Sequence, residues 1–177
     1  MTETCSPYDP MTSFQEDIAD VFRHHKDHLK KVRDIAAEIS EEVENLDGFI
    51  QQYTAVVCPE CSSVCCINRH SYHAFDDIVF LYALGEKIPL HAAGLDDAAP
   101  CQFLDKLGCT IPRSLRPYRC NWYFCSPLLA RIVEQNSNRH YRLFINMLEK
   151  ITERRQRMLE EYVSGVKGTV LQRAYKT

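Results

Sequence analysis

The sequence predicts a mainly α protein in which two long helices brace a small, irregular, cysteine-rich metal-binding module with one short helix and a β-hairpin. Three observations support this prediction. Two of them are helical repeats of apolar residues, one near each end of the chain. The third is that eight of the nine cysteines lie between these repeats. The chain has 177 residues, of which 45% are hydrophobic and 25% charged, so it is long enough to bury a working core.

The first long helix is predicted over residues 13–47. Ser13 and Glu16 have capping-box spacing, and Gly48 is a natural stop. We expect residues 1–12 to form a flexible tail, in which Cys5 is incidental. Apolar residues and two histidines follow each other at steps of three and four, which predicts a seam that packs on the second long helix or on another subunit: Phe14, Ile18, Val21, His25, His28, Val32, Ile35 and Ile39.

The second long helix is predicted over residues 127–165, with a possible break near 136–138, where the sequence NSN favours helix poorly. Ser126 is a good N-cap, and Pro127 then occupies the favoured first position. Gly165 is the expected end, followed by a tail at 166–177. The helical stripe consists of Leu129, Val133, His140, Phe144, Met147, Ile151, Met158 and Tyr162.

The cysteine-rich metal-binding module is predicted over residues 48–126. A short helix at 71–84 would begin at Ser71 and end at Gly85, and the segment 86–100 has the proline and glycine content of a loop. The sequences CQFL and CTI around Gly108 predict a small hairpin that brings Cys101 and Cys109 near each other.

The eight central cysteines predict a metal site. The start of the chain lacks the pattern of a secretory leader and no apolar run could span a membrane, so we expect a cytoplasmic protein whose thiols stay reduced. Thiolates select zinc, copper(I) or iron–sulfur centres, and both zinc and a [4Fe-4S] cluster use four of them. The candidate metal ligands are Cys58, Cys61, Cys65, Cys66, Cys101, Cys109, Cys120 and Cys125.

The number of sites stays open at this point. Eight thiolates could fill two four-coordinate sites, one cluster plus a second site, or one site with spare thiols. Neighbouring side chains diverge, so Cys65 and Cys66 suit two centres, or one ligand and one other thiol. The alternative without metal is a set of disulfides or buried structural cysteines.

The order of motifs CPEC, SSV and CC, then CQFLDKLGC, RPYRC and YFC, resembles the YkgJ-type cysteine-cluster family of zinc- or iron-chelating domains. The resemblance covers residues 58–125. Three residues separate Cys61 from Cys65, where the common family pattern has two. The resemblance implies zinc or iron binding and no settled reaction. Flagellin lysine N-methylases carry a similar cluster, so it also implies a metal-dependent enzyme as an alternative.

Other residues near the cysteines have several interpretations. Arg113, Arg116 and Arg119 could offset the negative charge of a thiolate site, or could bind nucleic acid beside the aromatic residues 122–124. The net charge of −3 argues against nucleic acid as the main partner. His70, His73 and Asp76 could complete a mixed metal site or simply cover a helix surface; we take the other stripe histidines, 25, 28 and 140, as core residues.

The sequence therefore predicts a protein that chelates zinc or iron, with a [4Fe-4S] cluster as one form of the iron. The enzyme is one alternative, and a zinc-stabilised module for protein or nucleic-acid interaction is another. The long helices could also mediate a homodimer. Phosphate-binding glycine loops and the common hydrolase motifs are absent from the sequence, and it suggests no membrane partner.

Overall fold

A computed structural model describes residues 10–25, 27–61, 64–106, 108–135 and 137–174. These residues form a mainly α fold, as predicted, with a tiny antiparallel hairpin. None of its described helices is long and apolar enough to cross a lipid bilayer. In chain order the helices are α1 (Pro10–His24), α2 (Lys30–Val57), α3 (Phe75–Leu84), α4 (Arg119–Trp122), α5 (Ser126–Gln135) and α6 (Asn138–Ala174), and the strands are β1 (Leu104–Asp105) and β2 (Gly108–Cys109).

The long helices α2 and α6 pack along each other and form the frame of the molecule. The part of the predicted seam that lies on α2 therefore joins the two long helices within one chain, whereas its first part lies on α1, which packs against α3. Helix α3 covers the same core with an almost entirely apolar sequence. Removing these side chains from water supplies the main folding energy of the frame. Its buried apolar residues include Val32, Ile35, Ile39, Val43, Leu46 and Ile50 of α2, and Phe144, Leu148, Ile151, Met158 and Tyr162 of α6.

The first predicted helix is in fact two helices. The prediction of one helix over 13–47 is wrong, because the polar sequence at 24–28 interrupts the apolar seam and the chain turns before Leu29. Leu29 is fully buried, while His28 is exposed. Gly48 does not end α2, since the buried Leu46 and Ile50 on either side of it keep the helix packed as far as Val57.

The C-terminal helix breaks where the sequence predicts, between Gln135 and Asn138. Because α5 is a separate helix, it buries Leu128 and Ile132 rather than the predicted Leu129 and Val133; the latter is 50% exposed.

The predicted stop at Gly165 is wrong, because α6 continues to Ala174 through most of the expected tail. Gly165 instead permits a close approach between α6 and the α1–α2 turn. A Cβ atom there would lie 3.1 Å from Leu29 Cδ2 and 3.4 Å from the carbonyl oxygen of His28. Of the other predicted tail, residues 1–9 lie outside the described residues, and residues 10–12 belong to α1.

Helix α3 begins at Phe75 rather than Ser71, because the Asp77 carboxylate accepts a hydrogen bond from the Ala74 backbone at 3.0 Å and caps the helix there. Its end at Gly85 is as predicted: this glycine has a φ of +78°. The segment 86–100 is irregular, also as predicted. Arg155 of α6 ties the frame to α3 through contacts of 2.7 Å with Asp76 and Asp77.

Candidate metal centre

Seven of the eight central cysteines line one cavity of about 360 Å³. The end of α2, the hairpin, α4 and the start of α5 surround it. Cys61 lies beside this cavity, on a surface that also includes Pro127 and Arg131 of α5. None of the eight forms a disulfide. The cysteines on the cavity wall are Cys58, Cys65, Cys66, Cys101, Cys109, Cys120 and Cys125.

The packing of α2 against α5 positions one part of this wall. Cys58 follows α2 directly and donates its N–H to the Thr54 carbonyl at 3.0 Å. The Cys61 N–H reaches the Cys58 carbonyl at 3.2 Å, which is the tight turn expected for CPEC. Cys125 precedes α5 and packs against the small core that Tyr53 of α2 shares with α5. Two segments more than 60 residues apart therefore meet at the cavity.

Backbone hydrogen bonds position the rest of the cavity wall. The Cys101 N–H donates to the Cys66 carbonyl at 2.9 Å, and the Leu104 N–H donates to the Cys101 carbonyl at 2.8 Å. Leu104 pairs with Cys109 across the hairpin. Cys120 lies in α4, the single turn of helix that faces the hairpin across the cavity. The hairpin is as predicted, although each of its strands has only two residues.

Loss of solvent around two of these thiols makes them weaker acids than a free cysteine. It raises the pKa of Cys66 to about 12, helped by Cys65, Cys120, Cys58 and Cys101. Burial also raises the pKa of Cys120 to about 11, helped by Cys109 and opposed by Arg116. A second thiolate beside the first is disfavoured in both cases, so Cys66 and Cys120 are mostly protonated near neutral pH unless a cation is present.

The cysteine sulfurs do not form a closed cage. Among the described residues, no group of three or more His, Cys, Asp or Glu side chains already has the arrangement needed to hold a metal ion. Coordination therefore requires the thiols around the cavity to rotate and draw together. The donor set itself fits a soft metal, since it supplies sulfur from six short segments around one space.

Arg113 is a buried cation on the cavity wall. It is only 4% exposed, and its Nε donates to Asp47 Oδ1 at 2.5 Å. Its Nη2 is buried and has no hydrogen-bond partner among the described residues. Burial lowers the pKa of Arg113, and Arg116 lowers it further, whereas Asp47 and Cys109 raise it. An additional negative charge in the cavity would therefore be favourable.

The other two arginines differ from Arg113. Arg116 is half-buried and donates to the carbonyl oxygens of Ile111, at 2.7 Å, and Cys109, at 3.4 Å. Arg119 is exposed. Two of the three guanidinium groups thus point into the protein, and the three do not form a continuous exposed basic face.

Only one of the three candidate ligands beyond the cysteines reaches the cavity. His70 lines it and donates from Nδ1 to the Cys65 carbonyl at 3.2 Å, so Nε2 is the ring nitrogen that a metal could use. His73 is buried elsewhere against the Leu115 carbonyl at 3.0 Å, and Asp76 is paired with Arg155.

The stripe histidines are not core residues as a group. His28 and His140 are exposed, because the first lies in the α1–α2 turn and the second faces outward near the start of α6. His25 is half-buried, with its ring centroid 6.5 Å from that of His28.

Sequence reasoning missed Asn68, which organises the wall behind Cys66 and Cys101. It is 2% exposed; its Oδ1 accepts from the Gln102 N–H at 2.8 Å, and its Nδ2 donates to the Asp96 carbonyl at 2.9 Å. An isolated asparagine in a polar loop gives no signal of this role, because its partners lie about 30 residues away.

The cysteine segments, defined as residues 58–74 and 85–125, bury little apolar surface. Among their described residues one large apolar side chain, Ile111, is buried. Six polar or charged residues are buried in the same segments: Asn68, Ser71, His73, Arg113, Ser114 and Asn121. Ile88, Leu115, Tyr118 and Phe124 are partly buried against the core of the frame, so these segments gain some stability by docking on it but have little apolar core of their own.

No family model matches the sequence, and no curated protein or solved structure is significantly similar to it. The resemblance to the YkgJ-type family, drawn from the cysteine motifs, thus stays a prediction.

Proposed function

We propose that this protein chelates zinc or iron, the latter as an ion or a [4Fe-4S] cluster, through the thiolates of its cysteine segments. The observation that carries the proposal is the convergence of seven cysteines from distant parts of the chain on one cavity. Thiols that serve only as small apolar residues have no reason to gather in this way.

The weak apolar core of the cysteine segments supports the same proposal. Segments that bury one large apolar residue and six polar ones need another source of stability. Metal binding provides it, because the free energy of coordination becomes free energy of folding. The bound cation would also displace protons from thiols such as Cys66 and Cys120, so affinity would rise with pH.

Arg113 provides a third argument. Four thiolates on a divalent ion carry a net negative charge, and the same holds for a cluster with four cysteine ligands. A buried guanidinium with an N–H group that has no partner in the described part of the chain would offset that charge from the cavity wall.

A metal-dependent enzyme is the second candidate, and the shape of the cavity favours it. The space of about 360 Å³ falls in the range of small-molecule pockets, and its wall includes the aromatic residues Trp122 and Tyr123. His70 would then be the residue nearest to an open coordination position. Placement of the arginines gives no support to a nucleic-acid interface.

The test is to purify the full chain without oxygen and to measure metal content, acid-labile sulfide and visible absorption on the same sample. We expect at least one metal ion or cluster per chain, with the eight central thiols protected from alkylation until the metal is removed. Brown protein with iron and sulfide would assign a cluster, and colourless protein with zinc a zinc site. Metal-free protein whose thiols all react freely, or are oxidised to disulfides, would contradict the proposal.

A further inference from the structure

The short helix α4, which carries Cys120, is attached to the frame by a backbone hydrogen bond. It has four residues, too few for a helix to be stable by itself. Tyr118 immediately precedes this helix and donates its N–H to Asp77 Oδ1 of α3 at 2.9 Å. In the same turn, the Cys120 N–H donates to the Pro117 carbonyl at 2.8 Å. The Asp77 carboxylate therefore holds the backbone two residues before a candidate metal ligand.

Asp77 is itself held in a fixed position. Asp77 and Arg155 of α6 are each only 5% exposed, and Arg155 Nη2 donates to Asp77 Oδ1 at 2.7 Å. The second carboxylate oxygen accepts from the Ala74 N–H at 3.0 Å. A buried carboxylate is stable only when it is paired and hydrogen-bonded, so these donors fix its orientation. One side chain thus joins α3, α6 and the segment that leads to Cys120.

The side chain of Tyr118 strengthens the same attachment. The guanidinium carbon of Arg155 lies 4.5 Å from the centre of the Tyr118 ring, a distance that allows a cation–π interaction. The Tyr118 hydroxyl lies 2.6 Å from the hydroxyl oxygen of Thr152, on α6. The frame therefore holds both the backbone and the ring of the residue that precedes α4.

The neighbouring Asp76 provides a natural comparison. It accepts from the same Arg155 Nη2 at 2.7 Å, but its side chain is 34% exposed. In the described part of the chain, Asp77 accepts a hydrogen bond from the segment of Cys120, and Asp76 does not. The two carboxylates thus share one ion-pair partner and differ in their contact with the metal-binding segment.

We infer that Asp77 is a positioning residue for the metal site and holds Cys120 at the cavity wall before the metal binds. This inference rests on the proposed function and specifies how the frame supports the site. The cysteine thiols must draw together to coordinate a metal, and a ligand that is already in place reduces the cost of ordering them. Asp77 also caps α3, so the test must separate this structural role from its effect on Cys120.

The experiment uses the full chain, made metal-free under anaerobic conditions and loaded with cobalt(II), whose charge-transfer absorption reports thiolate ligands. Asp77→Ala should lower this absorption and give a spectrum like that of Cys120→Ser. It should also speed cobalt transfer to a competing chelator by about 10-fold. Asp77→Asn should recover part of both losses, because its amide oxygen can still accept from the Tyr118 N–H. Asp76→Ala is the matched control and should change neither the spectrum nor the rate.

Double substitutions test whether Asp77 acts through Cys120. In the Cys120→Ser background, Asp77→Ala should not speed cobalt transfer further. In the Cys58→Ser background, it should keep its full effect, because Cys58 is held by α2 and not by Asp77. Circular dichroism of each variant checks that the frame is folded, and Asp77→Asn against Asp76→Asn gives the same comparison if an alanine variant does not fold.

Two results would overturn the inference while leaving metal binding intact. One is a cobalt spectrum and transfer rate for Asp77→Ala equal to those of Asp76→Ala. The other is an effect of Asp77→Ala that persists undiminished in the Cys120→Ser background, which would show that Asp77 acts on the stability of α3 alone. If the unsubstituted chain binds no cobalt, the proposed function itself fails.

Discussion

The frame and the cysteine segments of this protein are stabilised by different interactions. Helix α2 buries an apolar residue at nearly every turn and packs along α6 over most of its length. The cysteine segments, in contrast, bury mostly polar groups held by single hydrogen bonds, such as those of Asn68. The frame can therefore fold by burying apolar surface, whereas the cysteine segments would depend on coordination if the proposed metal binding is correct.

Metal removal should have the largest effect and should act on one region only. Coordination energies of about 10–16 kcal/mol stabilise small zinc domains, so a strong chelator should unfold the cysteine segments. The frame should stay folded because it has its own apolar core. Hydrogen exchange measured before and after chelation should show lost protection at 58–74 and 85–125, with little change in α2 and α6. Unchanged exchange in the cysteine segments would contradict the comparison.

Met158→Ala should destabilise the frame rather than the cysteine segments. Met158 is fully buried in α6, so its truncation should cost about 2–5 kcal/mol in the free energy of unfolding. Chemical denaturation of the frame, followed by helical circular dichroism, measures this. Val163→Ala on the same helix is the control, because Val163 is 40% exposed and should cost far less. Metal content should be unchanged in both variants, and a large loss of metal in folded Met158→Ala protein would show that the two regions are coupled.

Arg113→Met should weaken the metal centre with less effect on the frame. Loss of a buried cation beside a negative site should speed transfer of metal to a competing chelator by about 10- to 100-fold. Arg113→Lys, which keeps the charge, should recover part of this difference. Arg119→Met is the control, since Arg119 is exposed and should change the rate little. Equal rates of metal transfer for Arg113→Met and Arg119→Met would show that Arg113 does not stabilise the bound metal.

A smaller effect distinguishes two glycines within the frame. A Cβ at Gly48 meets nothing within 4 Å, so Gly48→Ala should stabilise α2 by about 0.5–1 kcal/mol. Gly165→Ala should be less favourable by about 1 kcal/mol or more, because its Cβ would press on Leu29 and on the backbone of His28. The difference in denaturation midpoints between the two variants measures this, and equal midpoints would show that the helices do not approach so closely.

The sequence predicts the frame better than it predicts the site. Helical periodicity is local, so the two long helices, the break near residue 136 and the end at Gly85 can be inferred from neighbouring residues. Helix ends at Gly48 and Gly165 were predicted wrongly because tertiary packing outweighs a glycine signal. Repeated apolar residues beyond Gly48 extend α2, and the close approach at Gly165 requires the glycine within a helix.

The candidate site is formed by residues that are far apart in the sequence. Only the types of side chain that form it can be inferred from short motifs. Cysteine spacing predicts the candidate metal ligands but not which of them are neighbours, since Cys125 reaches the cysteines that follow α2 through the packing of α5 on α2. The burial of Arg113 against Asp47, 66 residues earlier in the chain, likewise has no sequence signal. The sequence does not decide whether His70 or His73 is a metal ligand. In the structure, His70 lines the cavity and His73 does not.

X-ray absorption at the metal edge of anaerobically purified protein tests the central claim most directly, because it reports which atoms surround the metal. Coordination by the cysteines predicts a shell dominated by sulfur, at about 2.3 Å if the metal is zinc, with four sulfurs per zinc ion. For an iron–sulfur cluster it predicts iron surrounded by sulfur, with a second shell of iron. A shell of nitrogen and oxygen ligands alone would contradict the account, since the metal would then be bound away from the cysteines.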